Sequence, residues 1–409
     1  MENATGVVIH HVIFLLVFIF ALGMVSGKLA SVLKVPDVAL FLVAGIAVGQ
    51  GLHLVTETSS SFTNQFILTV GSALILFDGG RNIRLSGLRK VWVTLTLLSV
   101  PGVLITAFLT AAVSHYVLGL PWLYALLLGA VISSTDPATI IPVFRQVKIR
   151  EKVRETVESE SAFNDATGSI LTFSVVAVIL GTEKVTLAGA VIDFVKSAAG
   201  GILIGLAFGF LMTYLVAHLR VGFLQDYTTI AMVVTALGAY LLGDQLGVSG
   251  FMATFTAGLI WGNSASFGLK MEDKLHEMAH FSDNITVIMR MLIFILLGSQ
   301  VNFGVVFEYL LPSLAVIGVF MLIARPLTVY ACALPDRKAK WERNELLFMC
   351  WVRETGVIPA ALSGMIAGAG IAHADVIAAV TFMAILLTIV VQASTTAYAA
   401  RKLGLEVHS

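Results

Sequence analysis

Apolar runs long enough to cross a bilayer follow one another along this chain with short polar loops between them, and that alternation leaves few folds open. Lipid offers no hydrogen-bond partners, so a spanning segment of ~20 apolar residues must satisfy its own backbone as an α-helix. Thirteen such runs are read, at about residues 7–27, 35–52, 63–80, 91–113, 121–143, 157–180, 190–217, 226–243, 246–262, 281–300, 306–332, 344–368 and 373–400. With 58% apolar and 12% charged residues, against the ~25% charge of soluble domains, a water-soluble fold is excluded. The 25 basic and 25 acidic residues leave no net field that would draw nucleic acid. The first 27 residues lack a basic n-region and a small-residue cleavage site, so the opening run is expected to persist as a span. Cys332 and Cys350 lie in apolar runs and read as buried small hydrophobes.

The loops give the orientation, because Lys and Arg concentrate on the cytoplasmic side. With the N-terminus outside, the odd loops and the C-terminal end hold twenty basic residues: Lys28 and Lys34; Arg81, Arg84, Arg89 and Lys90; Arg145, Lys148, Arg150, Lys152 and Arg154; Arg220; Lys270 and Lys274; Arg337, Lys338, Lys340 and Arg343; Arg401 and Lys402. The even loops hold one, Lys184. Such a split would collapse if a middle span were missing, so an N-out, C-in chain is predicted. The longest polar stretch, about 263–280, reads as an amphipathic connector with Leu269, Leu275 and Met278 among charges. Residues 1–400 are therefore expected to form one transmembrane domain and 401–409 a short cytoplasmic tail, with no soluble appendage.

A charge at mid-bilayer costs at least ~2.5 to 3.5 kcal/mol, so each one needs a partner or a task. The deep ones are Asp78, Asp136, Glu160, Asp165, Arg325, Arg353 and Glu354. Asp136 sits in Ser133-Ser134-Thr135-Asp136-Pro137-Ala138-Thr139, in the middle of span five. Pro137 disfavours helix at the residue before it, so the backbone near Thr135 and Asp136 should unwind, which membrane depth tolerates only where the backbone lines a site. In span six, Glu160, Ser161, Asn164 and Asp165 fall at i, i+1, i+4 and i+5, on one narrow helical face. That oxygen-rich face suits a small hard cation, and a buried carboxylate there can alternate between proton and cation. Span twelve repeats the broken helix, with Gly356 and Pro359 beside Arg353 and Glu354. Taking spans one to six and eight to thirteen as halves, the odd seventh span turns them in opposite orientation. Inverted six-helix repeats with discontinuous crossing helices, spans five and twelve, point to a secondary transporter with a midplane site.

Ser-Thr-Asp-Pro-Ala-Thr at 134–139, Glu-Ser-x-x-Asn-Asp at 160–165, Leu-Phe-Asp-Gly-Gly at 76–80 and Gly-Val-Ile-Pro-Ala-Ala-Leu at 356–362 together resemble the cation/proton antiporter superfamily. The fit is nearest to its NhaP-type sodium/proton exchanger branch, related to the animal NHE exchangers, and covers nearly the whole chain. The resemblance implies exchange of sodium, or lithium, for protons, without any cofactor, by a homodimer in the cell membrane. It implies a core bundle mainly of spans 3–6 and 10–13, the other spans serving dimerisation and scaffold. Asp165 matches the acid that binds cation and proton in turn, with Ser161 and Thr135 as its co-ligands for Na+. Asp136 matches the acid at the helix crossing, Asp78 a third-span carboxylate on the ion path, and Asn164 the amide of electroneutral members. Glu160 matches a structural acid paired with an arginine. Family members often read Arg-Gly where this chain has Thr355-Gly356, with Arg353 two residues upstream. Two residues turn a helix by ~200°, so Arg353 and Arg325 both stand as partners for Glu160.

Potassium exchange, a channel and a zinc enzyme are the rivals that the residues offer to sodium exchange. Potassium/proton antiport on the same fold uses the same oxygen ligands. A channel would leave the inverted broken helices and the titrating acid without a role. His276-Glu277-Met278-Ala279-His280 matches the zinc-hydrolase pattern H-E-x-x-H. It lies in a cytoplasmic connector, however, and the membrane Asp78-Gly79 precedes it, whereas an intramembrane zinc protease carries its Asp-Gly ligand later. Chance occurrence on a solvated face accounts for the pattern.

Overall fold

A computed structural model of the chain describes residues 2–407 apart from 34, 56, 137–143, 145–146, 182–186, 218–223 and 270–271; the side chains of 2–5, 7–8, 187–188 and 272–277 also lie outside the described set. The described elements are helical: α1 (Glu2–Leu33), α2 (Asp37–Ile46), α3 (Phe62–Asn82), α4 (Pro101–Leu118), α5 (Trp122–Ile132), α6 (Glu151–Ile179), α7 (Leu187–Ala217), α8 (Thr228–Gln245), α9 (Gly250–Gly262), α10 (Glu272–Ser299), α11 (Arg325–Ala333), α12 (Arg343–Trp351), α13 (Val357–Gly368) and α14 (Ala374–Leu387). Shorter pieces complete them. Trp92–Ser99 precedes α4, Leu310–Val319 leads through a π turn into α11, and a π turn at Thr388–Ala393 carries α14 on to Lys402. Among the described residues extended backbone pairs once, Ile149 against Glu406, and no strand forms.

Eight described helices are long and apolar enough to cross a membrane, and Asp37–Gly51, Trp122–Ile132, Gly250–Gly262 and Val357–Gly368 are apolar but shorter. Two of the short ones are halves of broken runs. α5 stops at Ile132, well before the end of its apolar run, and the run at 344–368 divides into α12 and α13. Other boundaries differ from the hydropathy reading for local reasons. The fourth run breaks at Val100, because Pro101 takes the first position of α4, where its missing N–H costs nothing. α10 starts at Glu272, so the second half of the expected connector is already helix, with Leu269 and Met278 buried. α8 and α9 are separate, turned by Gly247 at φ 67°.

Two sets of helices meet along one seam. α2, α3, α7, α8, α9 and α10 pack on one another, and α4, α5, α6, α11, α13 and α14 form the second set. Small residues let the first set close up: a Cβ at Gly80 would strike the Phe255 carbonyl and one at Gly258 the Phe77 carbonyl, so α3 and α9 touch backbone to backbone. α3 and α10 face α6 and α13 across the seam.

Candidate functional site

The two helix breaks cross. Beyond Ile132, Ser133 caps α5, and residues 134–136 leave the helix just before Pro137, as the proline demands. Opposite, residues 352–356 separate α12 from α13 without regular secondary structure, starting from the extended Val352. The Asp136 N–H donates to the Glu354 carbonyl across the crossing at 2.9 Å. The crossing is this close because position 356 has no side chain: a Cβ on Gly356 would overlap the Asp136 side chain. Asp136 therefore sits against the N-terminus of α13, where exposed N–H groups favour a negative charge.

Arg353 serves the other side of the crossing. Its guanidinium donates to the Ser133 carbonyl at 2.5 Å and to Thr106 Oγ1 at 3.4 Å, and lies 4.9 Å from the centre of the Phe320 ring. A cation at the C-terminal carbonyls of α5 complements that helix's dipole. The Glu160 carboxylate is held instead by Arg325, Nη1 to Oε1 and Nη2 to Oε2 at 2.9 Å, while Arg325 Nε donates to the Met349 carbonyl at 2.9 Å. Of the two arginines left open by the sequence, the structure pairs Arg325 with Glu160 and gives Arg353 a different task.

The polar face of α6 thus divides. Glu160 turns to Arg325, whereas Ser161 and Asn164 turn to the unwound stretch. Asn164 Oδ1 accepts the Thr135 N–H at 3.0 Å, and its Nδ2 donates to Thr135 Oγ1 at 2.8 Å. Thr135 Oγ1 and Ser161 Oγ lie 2.8 Å apart. Asn164, expected beside the ion, uses both ends of its amide to clamp Thr135. Asp165 points elsewhere, into a cavity of about 630 Å³ that it lines with Asp136, Ala162 and Val357. Asp165 Oδ1 is buried and makes no full hydrogen bond among the described residues, the Ser134 hydroxyl being the donor that faces its carboxyl group. Its nearest charged influence is Asp136.

From that floor the cavity runs along the seam to a mouth with exposed Arg84 and Arg154. Asp78 lines it too, but its oxygens are occupied. Oδ1 accepts from Arg81 Nη2 at 2.7 Å, Arg81 Nε at 3.1 Å and Ser282 Oγ at 2.5 Å, and Oδ2 from Asn82 Nδ2 at 3.0 Å. The carboxylate expected on the ion path thus lines the cavity wall with its oxygens engaged by Arg81, Asn82 and Ser282. Its partner Arg81 was legible, since i and i+3 share a helical face; Ser282, from a distant helix, was not. Glu354 does not line the cavity: its Oε1 lies 3.5 Å from Thr396 Oγ1.

Chemically, the floor offers the buried carboxyl groups of Asp165 and Asp136, while the Ser161 and Thr135 hydroxyls, bonded to each other at 2.8 Å, stand behind it and do not line the cavity. That set can exchange a proton for a small cation on Asp165. His276 and Glu277 of the zinc-like pattern lie outside the described side chains.

Comparison with known proteins bears on the same residues. The family model described as the transmembrane sodium/hydrogen exchanger matches residues 12–402. The K(+)/H(+) antiporter NhaP of Alkalimonas amylolytica is 30% identical over 397 residues, which make up 95% of this chain and 66% of that protein. This chain thus spans about two thirds of that relative's length. The Na(+)/H(+) antiporter 1 of Methanocaldococcus jannaschii is 29% identical over 409 residues, 93% of each. The solved structure of the sodium proton antiporter MjNhaP1 from the same organism, at pH 8, superposes with a TM-score of 0.86 at 27% identity, covering 97% of this chain and 99% of that one.

Proposed function

This chain belongs to the sodium/hydrogen exchanger family, and from that premise we propose that it exchanges a monovalent cation, sodium first, for a proton across the membrane by alternating access. The family is one of transporters, so the zinc-protease reading of His276 to His280 falls away. The observation that carries the proposal is the placing of Asp165, whose buried carboxylate closes a long cavity beside two crossing helix breaks. A proton or a cation on that oxygen relieves its burial next to Asp136, so the two cargoes compete for one place. Ser161 and the Thr135 stretch are the co-ligands in this reading, with Asn164 as their holder. Potassium is the second cation reading, favoured by the name of the Alkalimonas relative.

Arg81, Arg84 and Arg154 line the cavity beside Glu155, Glu158 and Asp283, and the three arginines sit at or beside the helix ends on the side where the odd loops gather the basic residues, which supports an inward-facing mouth and the N-out, C-in orientation. α5 and the α12–α13 pair, broken at matching places, support thirteen spans with two inverted repeats. A homodimer in the cell membrane completes the proposal, with residues 1–400 as a single transport domain. Exchange in proteoliposomes, read with a pH dye across a series of alkali cations, tests the function; a protein that moves no protons against any of them sinks it.

Exchange is expected to be electroneutral, one cation for one proton. Asn164 cannot titrate, Asp136 is fixed by the α13 N-terminus, Asp78 is fixed by Arg81, and Glu354 lies off the cavity. Among the described groups at the cavity floor, Asp165 is then the one that changes its load, Glu155, Glu158 and Asp283 lining the rest of the cavity, and its charge is the same in both loaded forms. A clamped potential should leave unmoved the sodium gradient at which flux vanishes. Two protons per cation would shift it by ~2.3 kcal/mol per 100 mV. A gradient that follows the clamp would bring in a second carrier, Asp136 or Asp78.

A further inference from the structure

At the opposite end of the seam lies a second, small cavity of about 50 Å³, lined by Ser59, Gln300, Asn302, Ser363, Gly364 and Asp375, among others. These residues come from the even loops and the helix ends beside them, so this cavity faces away from the large one. α13 joins the two: Val357, in its first turn, lines the large cavity, and Gly364, seven residues on and about 10 Å away, lines the small one. Within the packed seam between them, a side chain of α3 reaches across by a hydrogen bond. Gln65 Nε2, on α3, donates to the Gly364 carbonyl of α13 at 3.1 Å and to the Ser59 carbonyl at 2.7 Å. Gly364 admits Leu68 and Gly368 admits Gln65 only because neither has a side chain. Behind the latch, Gln300 bridges Ser59 Oγ and Asn64 Oδ1 at 3.0 Å each, stiffening the α3 side. Asp375 is exposed at the rim, a charge that would gather cations, and the buried Ser363 hydroxyl lines the wall.

We propose that the small cavity is the closed outer end of the path for a monovalent alkali cation, and that Gln65 is the latch that must leave Gly364 for that end to open. The inference rests on the antiport reading for its cargo, but the latch can be tested without transport. In Ala367→Cys, whose position lines the small cavity, an impermeant maleimide added from the outer side should label residue 367 slowly, and peptide mass spectrometry keeps this apart from the buried Cys332 and Cys350. Adding Gln65→Ala removes one hydrogen bond across the seam and should speed labelling about fivefold. An unchanged rate overturns the latch. In a second arm, Gln65→Cys with Ala367→Cys, which adds no side chain at a glycine contact, is bridged by a short bis-methanethiosulfonate linker held by two reducible disulfides. Exchange should fall at least about tenfold and return on reduction, while sodium added from the large-cavity side still raises thermal stability. A bridged protein that exchanges at the unbridged rate overturns the proposal. If the wild type exchanges no cation at all, the antiport reading fails instead, and the labelling arm still decides on the latch.

Discussion

Asp165→Asn abolishes exchange, leaving proton flux at the level of empty liposomes, while the protein inserts and folds as before. The two halves of that expectation have different causes. Asn keeps the size and shape of Asp, and its amide oxygen can still accept from the Ser134 hydroxyl that faces the Asp165 carboxyl group, so little native contact is lost. Function has no such cushion. An amide neither binds a proton near neutral pH nor offers a full negative charge to a cation, so both half-cycles lose their acceptor. Ser161 and Thr135 cannot substitute, since their hydroxyls are uncharged and already engaged with each other at 2.8 Å. The measurements are pH-dye exchange in proteoliposomes and thermal unfolding of the same preparation in detergent. Wild-type exchange by a well-folded Asp165→Asn protein would overturn the assignment of this carboxylate as carrier.

What the residues disclosed without coordinates, and what they did not, divides by the range of the force involved. Pro137 acts on its immediate neighbour, so the unwinding at Thr135 and Asp136 could be read locally. So could the placing of Asp165 and Asn164 on a helical face, a matter of 3.6-residue periodicity. The charges needed more. Arg325 and Arg353 were equal rivals for Glu160, because the choice depends on how the 352–356 stretch crosses α5, and a break in a helix voids any count of turns. Asn164 looked like an ion ligand because an amide oxygen can be one; its commitment to Thr135 requires the crossing stretch to lie within 3.0 Å, which no spacing encodes. Asp78 illustrates the same point, since Ser282 reaches it from a helix two hundred residues on. Helix ends were misjudged where hydropathy and helicity part company: α10 begins in a charged stretch that the apolar count left out.

Glu160→Gln is expected to destabilise the fold by ~3 to 5 kcal/mol, the usual effect of leaving one member of a buried ion pair alone. Arg325 is 1% exposed and Glu160 3%, so neither can recover its charge through water. The geometry is the strong form of such a pair, with both guanidinium arms on both carboxylate oxygens. Arg325 also binds the Met349 carbonyl near the end of α12, so the pair ties α6 to the helix that leads into the crossing. Loss of Glu160 should therefore loosen the crossing without removing any group at the cation position, and sodium affinity of the surviving folded protein should change far less than its stability. A double-mutant cycle separates this from simple loss of packing. Glu160→Gln combined with Arg325→Met should cost markedly less than the sum of the single losses, because the second change removes the stranded charge. Glu160→Gln combined with Arg353→Met should come close to additive, since Arg353 binds the Ser133 carbonyl and not Glu160. Coupling to Arg353 with additivity to Arg325 would reverse the pairing, and additivity in both cycles would refute a stabilising ion pair at Glu160.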